Sequence, residues 1–319
     1  MKHYFAPMEG VTGYIYRNAH HTFFGHIDKY FTPFIVPSQS KSLAPRELSD
    51  VRPDHNKGLY IVPQILTNHA DGFIWAAGEL KKMGYEEINL NLGCPSRTVV
   101  SKGRGAGFLA YPEELDRFLD EIFRILDIRL SIKTRIGRDN PEEFYRLIEI
   151  FNRYPMEELI IHSRIQQDYY KNKPNMTVFS DAVSLSKNPL CYNGDIFTAA
   201  DYRNFTEQFP QIERMMFGRG LIANPGLTAS LSGESGLDAE LFLKFHNRIL
   251  SGYKEVMSGD RNVLFKMKEL WLYMGALFAD DGKYLKKIKK AERLDGYLAA
   301  VTGLVKECRL EPSAGYQTD

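Results

Sequence analysis

Eight times within about the first 225 residues, a short apolar run rich in β-branched and aromatic residues is followed by a longer amphipathic stretch. The runs are YFAP at Tyr4, FTPFIV from Phe31, LYIVPQIL from Leu59, EEINLNL from Glu86, RLSIKTR from Arg129, EELIIHS from Glu157, PLCYNG from Pro189 and RMMFGR from Arg214. Between them lie segments of helical period such as DGFIWAAGELKKM, PEELDRFLDEIFRIL and PEEFYRLIEIFNRY. The last two open with Pro-Glu-Glu, which suits a helix start: proline needs no donor there, and acids favour the positive end of the helix. Strict alternation of strand and helix implies parallel strands joined by right-handed crossovers. Eight such units predict an α/β fold of the (β/α)8 barrel type. A doubly wound sheet would want a glycine fingerprint at its first turn, and APMEGVTG is not one.

After Pro225 the alternation stops, and three or four helices are expected instead, beyond a Gly- and Ser-rich linker. The expected division is a barrel over residues 1–235 and a smaller all-helical C-terminal domain over 236–319, with the tail after Glu311 frayed. The net charge of +1 hides an asymmetry: residues 241–319 hold 14 Lys and Arg against 10 Asp and Glu, densest in KYLKKIKKAER from Lys283. A local basic patch on a near-neutral chain points to a polyanionic partner at one end. Cys94, Cys191 and Cys308 form neither a disulfide framework nor a zinc pattern, and no HxxxH or HxH appears, so no metal is expected. With no signal-peptide-like start and no long apolar run, a cytoplasmic protein that engages no membrane is expected.

Ligands of such barrels sit at the C-terminal ends of the strands. The polar groups there are Gln64, Asn91, Cys94, Lys133, Arg135, His162, Arg164, Asn193, Asp195, Gly218 and Arg219. So many buried polar groups are costly unless a ligand or a network satisfies them. NGDI at Asn193 and GRG at Gly218 follow the seventh and eighth strands, where barrels often hold a phosphate. Lys133 could stabilise an anionic reduced flavin or a phosphate, form a Schiff base, or sit in a buried salt bridge. Cys94, on the turn NLGCPS, could donate a proton or act as a nucleophile, although a lone cysteine is most often a small buried hydrophobe. GRGAG at Gly103 reads as a flexible loop near Cys94, with Lys102 and Arg104 able to meet phosphates.

Seven motifs in order resemble the bacterial tRNA-dihydrouridine synthases: APMEGVT, PQIL, INLNLGCPS, IKTRIG, IHSR, NGDI and GRGLIANP. The resemblance runs from Ala6 to about Tyr273. It implies an FMN-dependent oxidoreductase that reduces uridine in tRNA with NADPH as reductant. Pro7 and Met8 would line the flavin ring; Gln64, Lys133 and His162 would contact the isoalloxazine or ribityl. Asn193, Asp195, Gly218 and Arg219 would hold ribityl and phosphate. Asn91 would orient the uracil and Cys94 would be the general acid. Lys102, Arg104, Arg164 and Lys268 would be further substrate contacts, the last in KELWLYM, which resembles the family's RNA-facing helix. A monomer is the family-style expectation. The chain departs from the family pattern at Ile165, where Thr is usual, and at Asn89, where Asp is common, while QQDYYKNKPN keeps the expected Gln167 and Tyr169.

Four rivals remain at this level. An FMN barrel acting on a free pyrimidine or enone would not need the basic helices. A Schiff-base aldolase using Lys133 would be colourless. A non-catalytic RNA-binding protein would tolerate loss of Cys94. A dihydrouridine synthase acting on ribosomal RNA would share every motif.

Overall fold

The computed structural model describes residues 1–234, 236–279 and 282–316. Nine parallel strands form one sheet: β1 (Lys2–Phe5), β2 (Lys29–Phe31), β3 (Ile61–Val62), β4 (Gln64–Ile65), β5 (Glu87–Leu92), β6 (Arg129–Gly137), β7 (Leu159–Ile165), β8 (Leu190–Asn193) and β9 (Arg214–Phe217). Their order is β3-β2-β1-β9-β8-β7-β6-β5-β4. The two end strands of that order, β3 and β4, are separated in the chain only by Pro63, so the sheet closes on itself. Pro63 lacks an N–H and cannot continue the ladder, which divides the third of eight barrel positions into two short pieces. Its carbonyl still accepts the Asn89 N–H at 2.9 Å. The (β/α)8 expectation therefore holds, with one strand split.

The second strand lies earlier than expected, at Lys29–Phe31 and not from Phe31 onward. Apolar patterning misses it because Lys29 is 8% exposed at the floor of the barrel lumen. There its ammonium meets both carboxylate oxygens of Glu87 at 2.8 and 3.0 Å and Glu158 at 2.9 Å. Tyr4 Oη also donates to Glu158, at 2.9 Å. Buried charges persist only when paired in this way. Above this floor Ala6, Phe31, Val62, Ile160, Cys191 and Met216 fill the lumen. The middle of the lumen is thereby filled below the C-terminal rim.

The helix Pro112–Ile125 starts at its proline, with Glu113 and Glu114 in the first turn. The next begins at Glu143, two residues after Pro141. The Glu143 carboxylate is taken up by the N–H groups of Arg138, Asp139 and Asn140 in the preceding turn.

Beyond the barrel come helices Ala239–Val256, Asp260–Met274, Gly282–Lys290 and Leu294–Glu307. Ser235, at the expected domain boundary, lies outside the described residues. Asp238 caps the first of these helices by accepting the Leu241 N–H at 2.7 Å. That helix lies on Tyr14–Phe23, with Phe245 against Tyr16 and Phe24. His246 and Trp271 both reach the hydroxyl of Tyr297, at 2.6 and 2.8 Å. Up to Tyr316 the tail is not frayed as expected after Glu311, and residues 317–319 lie outside the described residues. Leu310 bridges Phe278, and the Pro312 carbonyl accepts from Asn224 Nδ2 at 2.9 Å, so the chain runs back to the barrel.

Candidate active site

Two abutting cavities open at the C-terminal ends of the strands, sharing Pro7, Met8, Lys133, His162 and Tyr170. The first, of about 350 Å³, is also lined by Gln64, Asn91 and Cys94. The second is also lined by Asn193, Asp195, Gly218 and Arg219. All nine residues expected to hold the cofactor thus line one cavity or the other. Of the expected substrate contacts only Asn91 does; Lys102, Arg104, Arg164 and Lys268 line neither.

Strand alternation explains the convergence. On β5 Glu87, Asn89 and Asn91 take one face, and on β6 Ser131, Lys133 and Arg135 do, while the intervening residues are buried against the helices. Asn91 is level with Lys133, and His162 is level with both Arg135 and Asn193. An amide chain links the layers: Asn91 Nδ2 donates to Gln64 Oε1 at 2.6 Å, and Gln64 Nε2 donates to Asn89 Oδ1 at 2.7 Å. Each amide is hydrogen-bonded to protein through both its oxygen and its nitrogen, which fixes its rotamer.

The Cys94 turn is clamped from several sides. Asn91 Oδ1 accepts the N–H groups of Gly93 and Cys94 at 3.0 and 2.9 Å. Arg135 donates to the carbonyls of Gly93, Ile165 and Tyr169 at 2.9, 2.7 and 2.7 Å. GRGAG packs beneath the cysteine and is not the loose loop its glycines suggested. Gly105 has φ +55°, and a Cβ there would stand 2.8 Å from the Cys94 carbonyl oxygen. Burial pushes the Cys94 thiol above its ordinary pKa. It therefore stays protonated near neutral pH, as a proton donor must.

The Lys133 ammonium makes no hydrogen bond or ion pair among the described residues, although the residue lines both cavities. Burial, reinforced by Arg135, pulls its pKa down to about 7. His162 accepts from Arg164 Nη1 through Nε2 at 3.0 Å. An arginine can only donate, so this contact assigns the imidazole proton to Nδ1. Burial first, then Arg135 and Lys133, hold His162 well below its usual pKa, hence neutral. At the second cavity Asp195 accepts from Arg164 at 2.9 Å and from Arg219 at 2.6 Å. The Arg219 guanidinium makes no other hydrogen bond among the described residues. An unpaired amine and a guanidinium with spare donors fit an anionic, phosphate-bearing group, as FMN is.

Arg164 is 1% exposed and engaged by Asp195, His162 and the Asn172 carbonyl. Arg104 donates to Asn68 at 3.3 Å, and the Lys102 carbonyl accepts from the same amide side chain. Lys268 donates to the Ala291 carbonyl and lines a separate groove with Arg261 and Phe265. Glu9, Tyr170 and Tyr273 are not among the expected site residues, and Arg135 has no expected role, yet all four line the first cavity. Arg135 was findable, two residues past Lys133 on the same strand. Tyr170 and Tyr273 come from a loop and a distant helix, and no local pattern marks them. Among the described residues no group of three or more His, Cys, Asp or Glu is arranged to hold a metal, and no helix is long and apolar enough to cross a membrane.

Comparison with known proteins says which family this barrel and rim belong to. The sequence model of the dihydrouridine synthase family matches residues 4–314. The tRNA-dihydrouridine(16) synthase of Pseudomonas putida is 30% identical over 231 residues, 70% of each chain. The tRNA-dihydrouridine synthase B of Pasteurella multocida is 26% identical over 234 residues, 70% of this chain and 67% of that one. Morphinone reductase in complex with tetrahydroNAD superposes with a TM-score of 0.51 at 15% identity, over 76% of this chain and 90% of that one, a likeness of fold alone. This chain belongs to the dihydrouridine synthase family.

Proposed function

We propose that this chain reduces uridine to 5,6-dihydrouridine in tRNA, with FMN in the two cavities and NADPH as the reductant. When bound, the flavin would supply a hydride from N5 to C6 of the uracil. Cys94 then gives its proton to C5, and Asn91 holds the turn that aims the thiol. Lys133 offsets negative charge on the cofactor, and neutral His162 can donate from Nδ1. Arg219 and Asn193 hold the ribityl-phosphate end, with Asp195 keeping Arg219 in place. The uridine must leave its stack to reach this depth. Residues 236–319 are read as the RNA-contacting unit: on Gly282–Lys290 the lysines 286, 287, 289 and 290 are exposed while Tyr284 and Ile288 face inward.

The observation that carries the reading is the half-buried Cys94 thiol sharing one cavity with a Lys133 ammonium that has no partner among the described residues. The test has two parts. Purified protein should carry, or take up, a flavin seen by its visible absorbance. It should then form dihydrouridine in unmodified tRNA with NADPH. Mapping dihydrouridine in cells with and without the gene should find one missing tRNA position, with position 16 examined first because relatives are named for it. Turnover of free uridine but not tRNA, or loss confined to ribosomal RNA, would replace the substrate assignment.

A further inference from the structure

The Arg219 guanidinium sits inside three aromatic rings. Its central carbon is 4.7 Å from the Tyr170 ring centroid, 5.3 Å from Phe197 and 5.6 Å from Tyr316. Tyr170 and Phe197 belong to barrel loops. Tyr316 arrives from the far end of the chain, past the last helix, and its ring also meets Phe197 at 5.5 Å and Tyr273 at 5.6 Å.

The route of the tail is built. Ala279 N–H donates to the Arg309 carbonyl at 3.0 Å and Glu311 N–H to the Leu277 carbonyl at 2.7 Å. Asn224, just beyond the Arg219 helix, holds Pro312. Gly315 then turns the chain with φ +72°, and a Cβ there would stand 2.7 Å from Thr198 Cγ2. Position 315 therefore demands glycine twice over, once for the backbone and once for space. That requirement delivers Tyr316 onto Arg219.

We infer that Tyr316 is a positioning residue of the phosphate end of the cofactor site. Rings around a guanidinium attract it through their π faces and keep water from it. Asp195 takes one edge, the rings approach the guanidinium, and Arg219 lines the second cavity, where a phosphate would lie. With water excluded, their attraction for a dianion strengthens. The tail, not the barrel alone, thus completes the site.

The inference rests on the flavin reading, and the experiment separates the two. Flavin-free protein is titrated with FMN and, in parallel, with riboflavin, which lacks the phosphate, following quenching of flavin fluorescence. Tyr316→Ala should weaken FMN about tenfold and leave riboflavin unchanged; Tyr316→Phe, which keeps the ring, should restore FMN binding. Gly315→Val, which cannot make the turn, should behave like Tyr316→Ala. If Tyr316→Ala binds FMN as the parent does, or loses FMN and riboflavin alike, the assignment is wrong while the flavin reading stands. If the parent chain binds neither ligand, both are wrong.

Discussion

The side-chain oxygen of Asn91 lies 2.9 Å from the backbone nitrogen of Cys94 and 3.0 Å from that of Gly93, while its amide nitrogen donates to Gln64. One side chain on β5 therefore sets where the thiol stands relative to the cavity. Asn91→Ala would leave two partly buried N–H groups without their acceptor, at about 1–3 kcal/mol each. The expected result is a fall in the rate of uridine reduction of about a hundredfold, since small displacements of a reacting group cost that much. FMN affinity should change by less than about threefold, as the turn is remote from the phosphate end. Comparable losses in both measurements would show that Asn91 supports the cavity as a whole.

Cys94 itself should divide the reaction in two. Cys94→Ala is expected to bind flavin and to oxidise NADPH at the parental rate, because the thiol takes no part in those steps. Dihydrouridine formation should drop by about 10²–10⁴, the usual worth of a positioned acid. Because burial raises the thiol pKa, the rate should show no loss from thiol ionisation between about pH 6 and 8. Stopped-flow absorbance and product analysis on one preparation test both halves. An alanine variant with full product yield would remove Cys94 from the mechanism.

The strands and the rim were legible because both are written in local pattern. Glu87, Asn89 and Asn91, like Ser131, Lys133 and Arg135, repeat with period two, so one correct strand places three lumen groups. Lys29 was illegible as a strand residue, since its partners Glu87 and Glu158 lie 58 and 129 positions away and only their meeting makes a buried lysine tolerable. GRGAG resembled a flexible loop because a glycine needed for space and one needed for freedom look alike in sequence. Tyr316 was read as part of a loose end for the same kind of reason: its partners Phe197, Arg219 and Tyr273 are set by the closed barrel, not by neighbours in the chain.

Asp195 holds two arginines, of which Arg164 is 1% exposed. Asp195→Ala would leave both cations without their counter-ion in a water-poor site, which costs about 3–5 kcal/mol. Urea denaturation should show that loss. Arg164→Met in the same chain should recover part of it, because the more deeply buried charge is then gone. Additive losses in the double variant would mean that Arg164 and Asp195 stabilise the fold through different partners.

If the lysines of Gly282–Lys290 meet RNA, they do so through phosphates, because ammonium groups carry no base code. Replacing Lys286, Lys287, Lys289 and Lys290 by Gln should weaken tRNA binding in a salt-dependent way. The slope of log affinity against log salt should become shallower by about one for each lysine that meets a phosphate. FMN binding and flavin reduction by NADPH should not change. An unaltered slope would locate the polyanion surface elsewhere.

Lys133 should make cofactor binding depend on pH in one direction. Burial, with Arg135 beside it, brings the free site's amine down to about 7. A bound anion pays back the lost hydration and raises that pKa, so binding above pH 7 takes up a proton. FMN affinity is then level below about pH 7 and falls as pH rises through it, by at most about tenfold per unit, until the pKa of the complex is reached. The sign for folding is opposite. In the ligand-free chain the depressed pKa means that the unfolded state holds the proton more tightly between about 7 and 10.5. The cost of burying this amine is therefore full below about pH 7 and is relieved as pH rises across that window, so folding stability increases with pH there. Lys133→Met should bind FMN more weakly at pH 6.5 and with a flatter profile up to pH 8.5, measured by fluorescence titration at fixed ionic strength. A parent profile as flat as that of the variant would mean that the amine stays charged, or stays neutral, whether or not the anion is present.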